Sequence, residues 1–259
     1  MLFPRSARSA TRLIWLDEVK STNDELASRA RGASPEEWPD FSVVLTDHQT
    51  SGKGRLGRSW TAPQGTMLAI SILMRPSNSG IFGDDSIGWI PLMAGLAMTR
   101  ALRKLGAATE LKWPNDVLID DRKVCGILAE AHAGGVVIVG SGVNLSLSES
   151  QLPVPTATSM LIAGAETDPD LVLSGYLTEL RVLYRSFAQA GGDAERSGVR
   201  SAVSNACSTL GRPVRVQLPG AADLIGVAEE LDGTGRLVVV DSDGRRTAVS
   251  AGDVTHLRY

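Results

Sequence analysis

The chain has 259 residues, with 26 Lys and Arg against 29 Asp and Glu, a formal charge of −3, 43% hydrophobic and 21% charged residues. That composition supports one main globular domain with a small satellite, and it argues against a nucleic-acid binder that relies on a broad basic surface. Two cysteines, Cys125 and Cys207, make neither a disulfide framework nor a zinc pattern and fit a reducing cytosol, and no apolar run approaches the roughly 20 residues of a membrane-spanning helix.

Residues 1–12 hold several arginines and serines without the apolar centre of a secretory signal, which suits a transit peptide or a frayed terminus. A short buried strand follows over 13–16. Thr22 and Glu25 have capping-box spacing, so a helix is expected from there to about Arg31. Ser21, Thr22 and Asn23 serve as its cap, and a helix start also aims hydroxyl, amide and backbone N–H groups at one point, where a polar ligand can be held. After a loop over 32–40, a strand over 41–46 leads through Gln49 into Gly52-Lys53-Gly54-Arg55-Leu56-Gly57-Arg58-Ser59-Trp60. The glycines free the backbone for turns and close approach to a ligand. Three cations in an acidic protein make a focused anion site, and Trp60 closes the run with a flat face. Such a loop suits a nucleotide; the plainer alternative is a solvated basic hairpin loop. A strand over 65–74 stops at Pro76, so the loop is tethered at both ends and is expected to order over its ligand as a lid.

Apolar residues at helical spacing predict a core helix over 87–105, ended by Gly106. Lys112-Trp113-Pro114-Asn115-Asp116 then forms a rigid corner, because Pro114 fixes its own φ and keeps Trp113 extended. The corner is a platform for one amide and one carboxylate. A tight turn at 120–122 starts a return strand over 123–130. Strict alternation puts Lys123, Cys125, Ile127 and Ala129 on one face, with Lys123 at the mouth of an otherwise apolar surface, either snorkelling or functional. Gly140 and Gly142 interrupt a buried strand over 136–145, marking either a close approach or a bulge. Helices are expected over 171–188 and 194–206. From Arg212, five short alternating strands (214–218, 224–231, 237–240, 247–250 and 254–257), with tight hairpin turns at Asp232-Gly233 and Asp243-Gly244, predict a small β-barrel. The domains expected are therefore 1–210 and 211–259.

Several of these signals coincide. Ser21-Thr22-Asn23, Gln49 before Gly-Lys-Gly-Arg-x-Gly-Arg-x-Trp, Lys-Trp-Pro-Asn-Asp, Lys123-x-x-Gly-Ile-Leu and Gly-x-Gly-x-Asn stand in the order and spacing of the biotin protein ligases, which the chain resembles from Leu13 onward. The resemblance implies an α+β fold: a mixed sheet with flanking helices, like the class II aminoacyl-tRNA synthetases, followed by an SH3-like barrel. It implies that biotin attacks the α-phosphate of ATP, with Mg²⁺, to give biotinyl-5′-AMP, and that a lysine of a biotin carboxyl carrier protein then takes the biotin. Larger members carry an N-terminal helix-turn-helix; there is no room for one ahead of Leu13, so DNA binding is not expected. Lys53 stands where the family usually has arginine and lacks the planar fork for a bidentate contact.

Site roles follow from the resemblance together with the chemistry. Lys123 bridges the biotin carboxylate and the α-phosphate, with Arg55 and Asp116 completing the catalytic set and Asp116 orienting Mg²⁺. Ser21, Thr22, Asn23 and Gln49 serve the ureido group. Gly52, Lys53, Gly54, Arg55, Gly126 and Gly142 line the rest of the biotin site, and the face of Cys125 and Ile127 offers an apolar channel for the tail. Arg55, Arg58, Trp60, Lys112, Asn115 and Asn144 contact the nucleotide. A cytoplasmic monomer or homodimer without membrane attachment is expected. The rivals are a lipoate or other fatty-acid ligase, and a non-catalytic biotin- or nucleotide-binding regulator.

Overall fold

The structure, a computed structural model, describes residues 3–81, 83–218, 222–250 and 252–257. The elements run β1 (Arg12–Trp15), α1 (Thr22–Ala30), β2 (Ser42–Thr46), β3 (Gly52–Lys53), β4 (Ser59–Trp60), β5 (Met67–Met74), α2 (Asp84–Ile87), α3 (Trp89–Lys104), β6 (Thr109–Lys112), β7 (Asp116–Ile119), β8 (Arg122–His132), β9 (Val136–Asn144), α4 (Pro169–Gln189) and α5 (Val199–Ala206). A second sheet follows from β10 (Pro213–Gln217), β11 (Leu224–Leu231), β12 (Leu237–Val240), β13 (Arg246–Val249) and β14 (Asp253–His256).

The first sheet has the order β1-β2-β5-β9-β8-β7-β6, antiparallel except for the parallel β1–β2 pair. Period-two alternation sorts its side chains into two layers. From β5, Leu68, Ile70, Ile72 and Met74 join the main core under α3 and α4, whereas Leu73 joins a smaller cluster under α1 with Leu26, Val44 and Ile138. The main core is the larger layer, and the α1 layer leaves room beside it for a cavity. The second sheet is antiparallel, in the order β13-β12-β11-β10-β14.

The two sheets are stitched together by indole donors. Trp89 Nε1 donates to Gly233 O at 2.9 Å and Trp113 Nε1 to Gly235 O at 3.0 Å. Each such bond contributes about 1 kcal/mol net and spares a buried N–H from lacking a partner.

Four local expectations need correction. The N-terminal segment is docked from Phe3 onward: Asp170 of α4 accepts from Arg5 N and Ser6 N, both at 2.9 Å, and Phe3 is buried. The N-cap of α1 is Ser21, one residue earlier than the capping-box spacing gives: its backbone is extended, its side chain accepts from Asp24 N, and its carbonyl accepts from Glu25 N. The helix expected over 194–206 starts only at Val199, since Gly198 at φ 74° is left-handed and cannot lie within it. The hairpins at Asp232 and Asp241 are five-residue loops and not two-residue turns. In each, the leading aspartate accepts backbone N–H bonds across the loop, from Thr234 and Arg236 in one and from Asp243 and Arg245 in the other.

Candidate active site

The parallel β1–β2 pair continues into the loops that follow. Val19 N donates to His48 O, Thr50 N to Val19 O and Ser51 N to Lys20 O. This zipper sets Ser21–Asn23 beside Gln49–Gly52, and the start of α1 then projects over the middle of the sheet.

Below it, alternation on β5, β8 and β9 presents small residues: Ala69, Gly126, and Gly140 and Gly142. These make the floor of a cavity of about 490 Å³, its open mouth included. The two floor glycines of β9 are required by close approach. A Cβ at Gly142 would lie 2.6 Å from Trp60 Nε1, and one at Gly140 would lie 2.9 Å from Asn23 Nδ2.

One end of the cavity is a polar recess. Gln49 Oε1 accepts from Thr22 N at 2.9 Å, and Ser71 Oγ lies 2.8 Å from Thr22 Oγ1 and 2.6 Å from Asn23 Oδ1. Asn23 Nδ2 donates to Glu130 Oε2 at 2.6 Å. Ser21, Thr22, Asn23 and Gln49 are all buried, so the cluster is preorganised and water-poor. Ser71 and Glu130 had no place in the motif reading. Ser71 was findable, as the one hydroxyl in the apolar run of β5 and two residues from Ala69; Glu130 at the end of β8 carried no distinguishing signal.

The other end holds Lys123. Its Nζ is 2.7 Å from Asp116 Oδ1, an ion pair and not an aligned hydrogen bond, and 5.5 Å from the Trp60 ring centroid. Lys123 reaches the pocket because of a bulge. Val117 faces Cys125 while Leu118 faces Lys123, so Val124 is the extra residue. The bulge corrects the expected face: Cys125, Ile127 and Ala129 point to α3 and α4, whereas Lys123 turns to the opposite side and lies over Gly126. Of the apolar channel expected along Cys125 and Ile127, Ile127 does line the cavity, whereas Cys125 lies outside the lining in the main core, where burial pushes its thiol pKa well up. The backbone of Lys123 is clamped by Lys123 N to Thr156 O at 2.7 Å and Thr158 N to Lys123 O at 2.9 Å.

The glycine-rich segment lies across the mouth as the ribbon β3–β4. Three side chains tie it down. Lys53 Nζ pairs with Asp24 at 2.7 Å, Arg55 Nη1 donates to Asn115 Oδ1 at 2.8 Å, and Arg58 forms a two-pronged pair with Asp253 of the second sheet. Burial lowers the Arg55 pKa, opposed by Asp116 and Asp253; an arginine so placed still remains charged. Trp60 packs its ring on Gly142, and its indole N–H is buried without a partner.

The cavity thus gathers Ser21, Thr22, Asn23, Gln49, Lys53, Gly54, Arg55, Trp60, Asn115, Lys123, Gly126 and Gly142. Gly52 supports the lid from outside the lining: a Cβ there would meet Gln49 Nε2 and the Trp60 carbonyl. Asp116 stands behind Lys123 and Arg58 at the rim. Lys112 lies toward the second sheet, where its charge acts on Asp253 and His256. Asn144 also lies outside the cavity lining, with its side-chain Nδ2 donating to Thr158 O at 2.9 Å. The amide of Asn115 is engaged at both ends, by Arg55 and by Ile127 O, so it positions Arg55.

Fixed cations beside a closed polar recess bring two anions together and shield the product from water, which is the work of an ATP-dependent ligase that activates a carboxylic acid. The Biotin/lipoate A/B protein ligase family matches residues 15–144, and the Biotin protein ligase C terminal domain matches residues 209–257. A biotin–[acetyl-CoA-carboxylase] ligase of Mycobacterium tuberculosis is 38% identical over 93% of this chain and 87% of its own length. Among solved structures, the biotin protein ligase of Aquifex aeolicus in complex with biotin and ATP superposes with a TM-score of 0.77 at 27% identity, covering 96% of this chain and all of that one. The Leishmania major biotin protein ligase in complex with biotinyl-5-AMP gives 0.60 at 26% identity, covering 93% of this chain and 99% of that one. The chain belongs to the biotin protein ligase branch of that family.

Proposed function

We infer that this chain is a biotin–[acetyl-CoA-carboxylase] ligase that works in two half-reactions. In the first, a biotin carboxylate oxygen attacks the α-phosphorus of ATP; pyrophosphate leaves and biotinyl-5′-AMP forms. In the second, the neutral ε-amine of an acceptor lysine attacks the acyl carbonyl; AMP leaves, the amine sheds a proton and an amide forms. The observation that supports the residue roles most directly is Lys123, turned by a bulge onto a glycine floor at the end of the cavity opposite the polar recess.

Biotin is read as lying along that floor. Its ureido group meets Ser21, Thr22, Asn23 and Gln49, which supply both donors and acceptors. The tail runs along the cavity beside Asn23 and Trp60, whose side chains pack on Gly140 and Gly142, and the carboxylate reaches Lys123 Nζ. Lys123 cancels the repulsion between carboxylate and phosphate, and Asp116 fixes the ammonium in place. Arg55 and Arg58, with Lys112 behind them, take the charge of the departing pyrophosphate. The Trp60 ring supplies the flat wall for the adenylate.

Mg²⁺ fits this donor set. A hard cation held mostly by substrate phosphates needs a carboxylate such as Asp116, and it would offset phosphate charge when bound. The lid of residues 52–60 is read as closing over the intermediate. The acceptor we propose is the biotin carboxyl carrier of acetyl-CoA carboxylase, as the name of the mycobacterial relative suggests. No described helix is long and apolar enough to cross a membrane, and both cysteines are buried free thiols; a cytoplasmic setting, where ATP is abundant, follows as part of the proposal.

The test is incubation of the full chain with ATP, Mg²⁺, biotin and a purified carrier domain. ATP-dependent covalent labelling of one acceptor lysine, undiminished by excess lipoate, is expected. Labelling with lipoate, or biotin binding without transfer, would overturn the reading.

A further inference from the structure

Three cations assigned above to the phosphates act on a single carboxylate, and that carboxylate belongs to the other domain. Asp253 opens β14 in the second sheet. Its Oδ1 lies 3.4 Å from Arg58 Nη1, and its Oδ2 is bonded to Arg58 Nη2. Lys112 and Arg55 are near enough for their charges to act on it as well. The side chains of Arg58 and Asp253 are open to water, 62% and 38% exposed, so the pair is exchangeable and not a buried structural link. An arginine fork held by two oxygens of one anion is the geometry it would also adopt on a phosphate.

We propose that Asp253 is a positioning residue that stands in for nucleotide phosphate at Arg58: it anchors the lid when the triphosphate is absent, yields Arg58 to ATP, and takes it back when pyrophosphate leaves. The inference rests on the two-step reading above. It gives the second domain a part in retaining the intermediate. Pyrophosphate departure removes the anion that held Arg58, at the moment when the mixed anhydride most needs shielding. Asp253 is an anion that cannot diffuse away.

The experiment compares the full-length protein with Asp253→Asn and Asp253→Glu. Two quantities are measured: the KM for ATP in biotin-dependent ATP–pyrophosphate exchange, and the rate at which preformed labelled biotinyl-5′-AMP escapes from the protein. Asp253→Asn should speed escape about two- to fivefold, the size of one exposed ion pair, without raising the KM for ATP; Asp253→Glu should restore retention. Raising salt should speed escape from the parent protein but not from Asp253→Asn, because salt screens only the charged pair. Unchanged escape from Asp253→Asn would overturn the proposal. So would a KM for ATP that rises in step with escape, which marks a general structural defect. If the parent protein makes no biotinyl-5′-AMP, the functional reading fails first and carries this proposal with it.

Discussion

Lys123 and Gly142 carry the chemistry at the scale of single residues, one by charge and one by the lack of a side chain. Lys123→Ala removes the cation between two anions and leaves Asp116 without its partner. Biotin-dependent pyrophosphate release should fall by about 10²-fold or more, in line with the loss of one preorganised stabilising group, and an unchanged rate would remove Lys123 from the first step. Gly142→Ala places a methyl against the Trp60 indole, which must then leave the floor. The KM for ATP should rise at least about fivefold, equivalent to 1 kcal/mol of overpacking. Steady-state kinetics on the folded variant check this, and an unaltered KM would mean that the ring plays no part in nucleotide binding.

Elements explain why some of these residues were legible in the sequence and others were not. The lid, the polar start of α1 and the Lys-Trp-Pro-Asn-Asp corner are each local runs, so their residue types announced them. The face of Lys123 was misread because a bulge adds one residue and reverses alternation, and Lys-Val-Cys-Gly-Ile-Leu contains nothing that marks it. The position of Asn144 was legible from its motif, whereas the bond from its amide to Thr158 O, which fixes how the side chain lies, was not. The hairpin glycines and Asp232 were legible as turn residues, while Asp241, which organises the second loop, was not.

β14 gives a pH test at this scale. Burial, then the charges of Lys112 and Arg212, push the His256 pKa down to about 4. The ring stays neutral in the fold, with Nε2 3.2 Å from Thr209 Oγ1, whereas in the unfolded chain it titrates near 6.5. Between those values the unfolded chain binds the extra proton. The stabilisation present above about pH 6.5 is therefore lost as pH falls toward 4, with no further loss from this group below that. Denaturation midpoints measured across this window should decline, and His256→Gln should flatten the decline; an equally steep fall in the variant would assign it to other groups.

For the whole molecule, one catalytic sheet builds the cavity and a second sheet secures its approaches. Trp89 and Trp113 donate to the β11–β12 loop, and the corner that carries Asn115 and Asp116 is thereby anchored to the second domain. The sequence showed both domains through the shift in pattern near Gly211, but not the contacts between them. The partner of Arg58 lies 195 residues further along the chain, one carboxylate among many. The account as a whole requires that an acyl-adenylate be made, held and then handed on. The most direct measurement is a single turnover with labelled biotin and ATP and no acceptor, followed by a chase with carrier domain and excess unlabelled biotin. The account predicts one equivalent of protein-bound biotinyl-5′-AMP, formed with pyrophosphate, which moves onto the carrier lysine without dilution of its label. Label reaching the carrier only at the diluted specific activity, or no adenylate before the carrier is added, would contradict it.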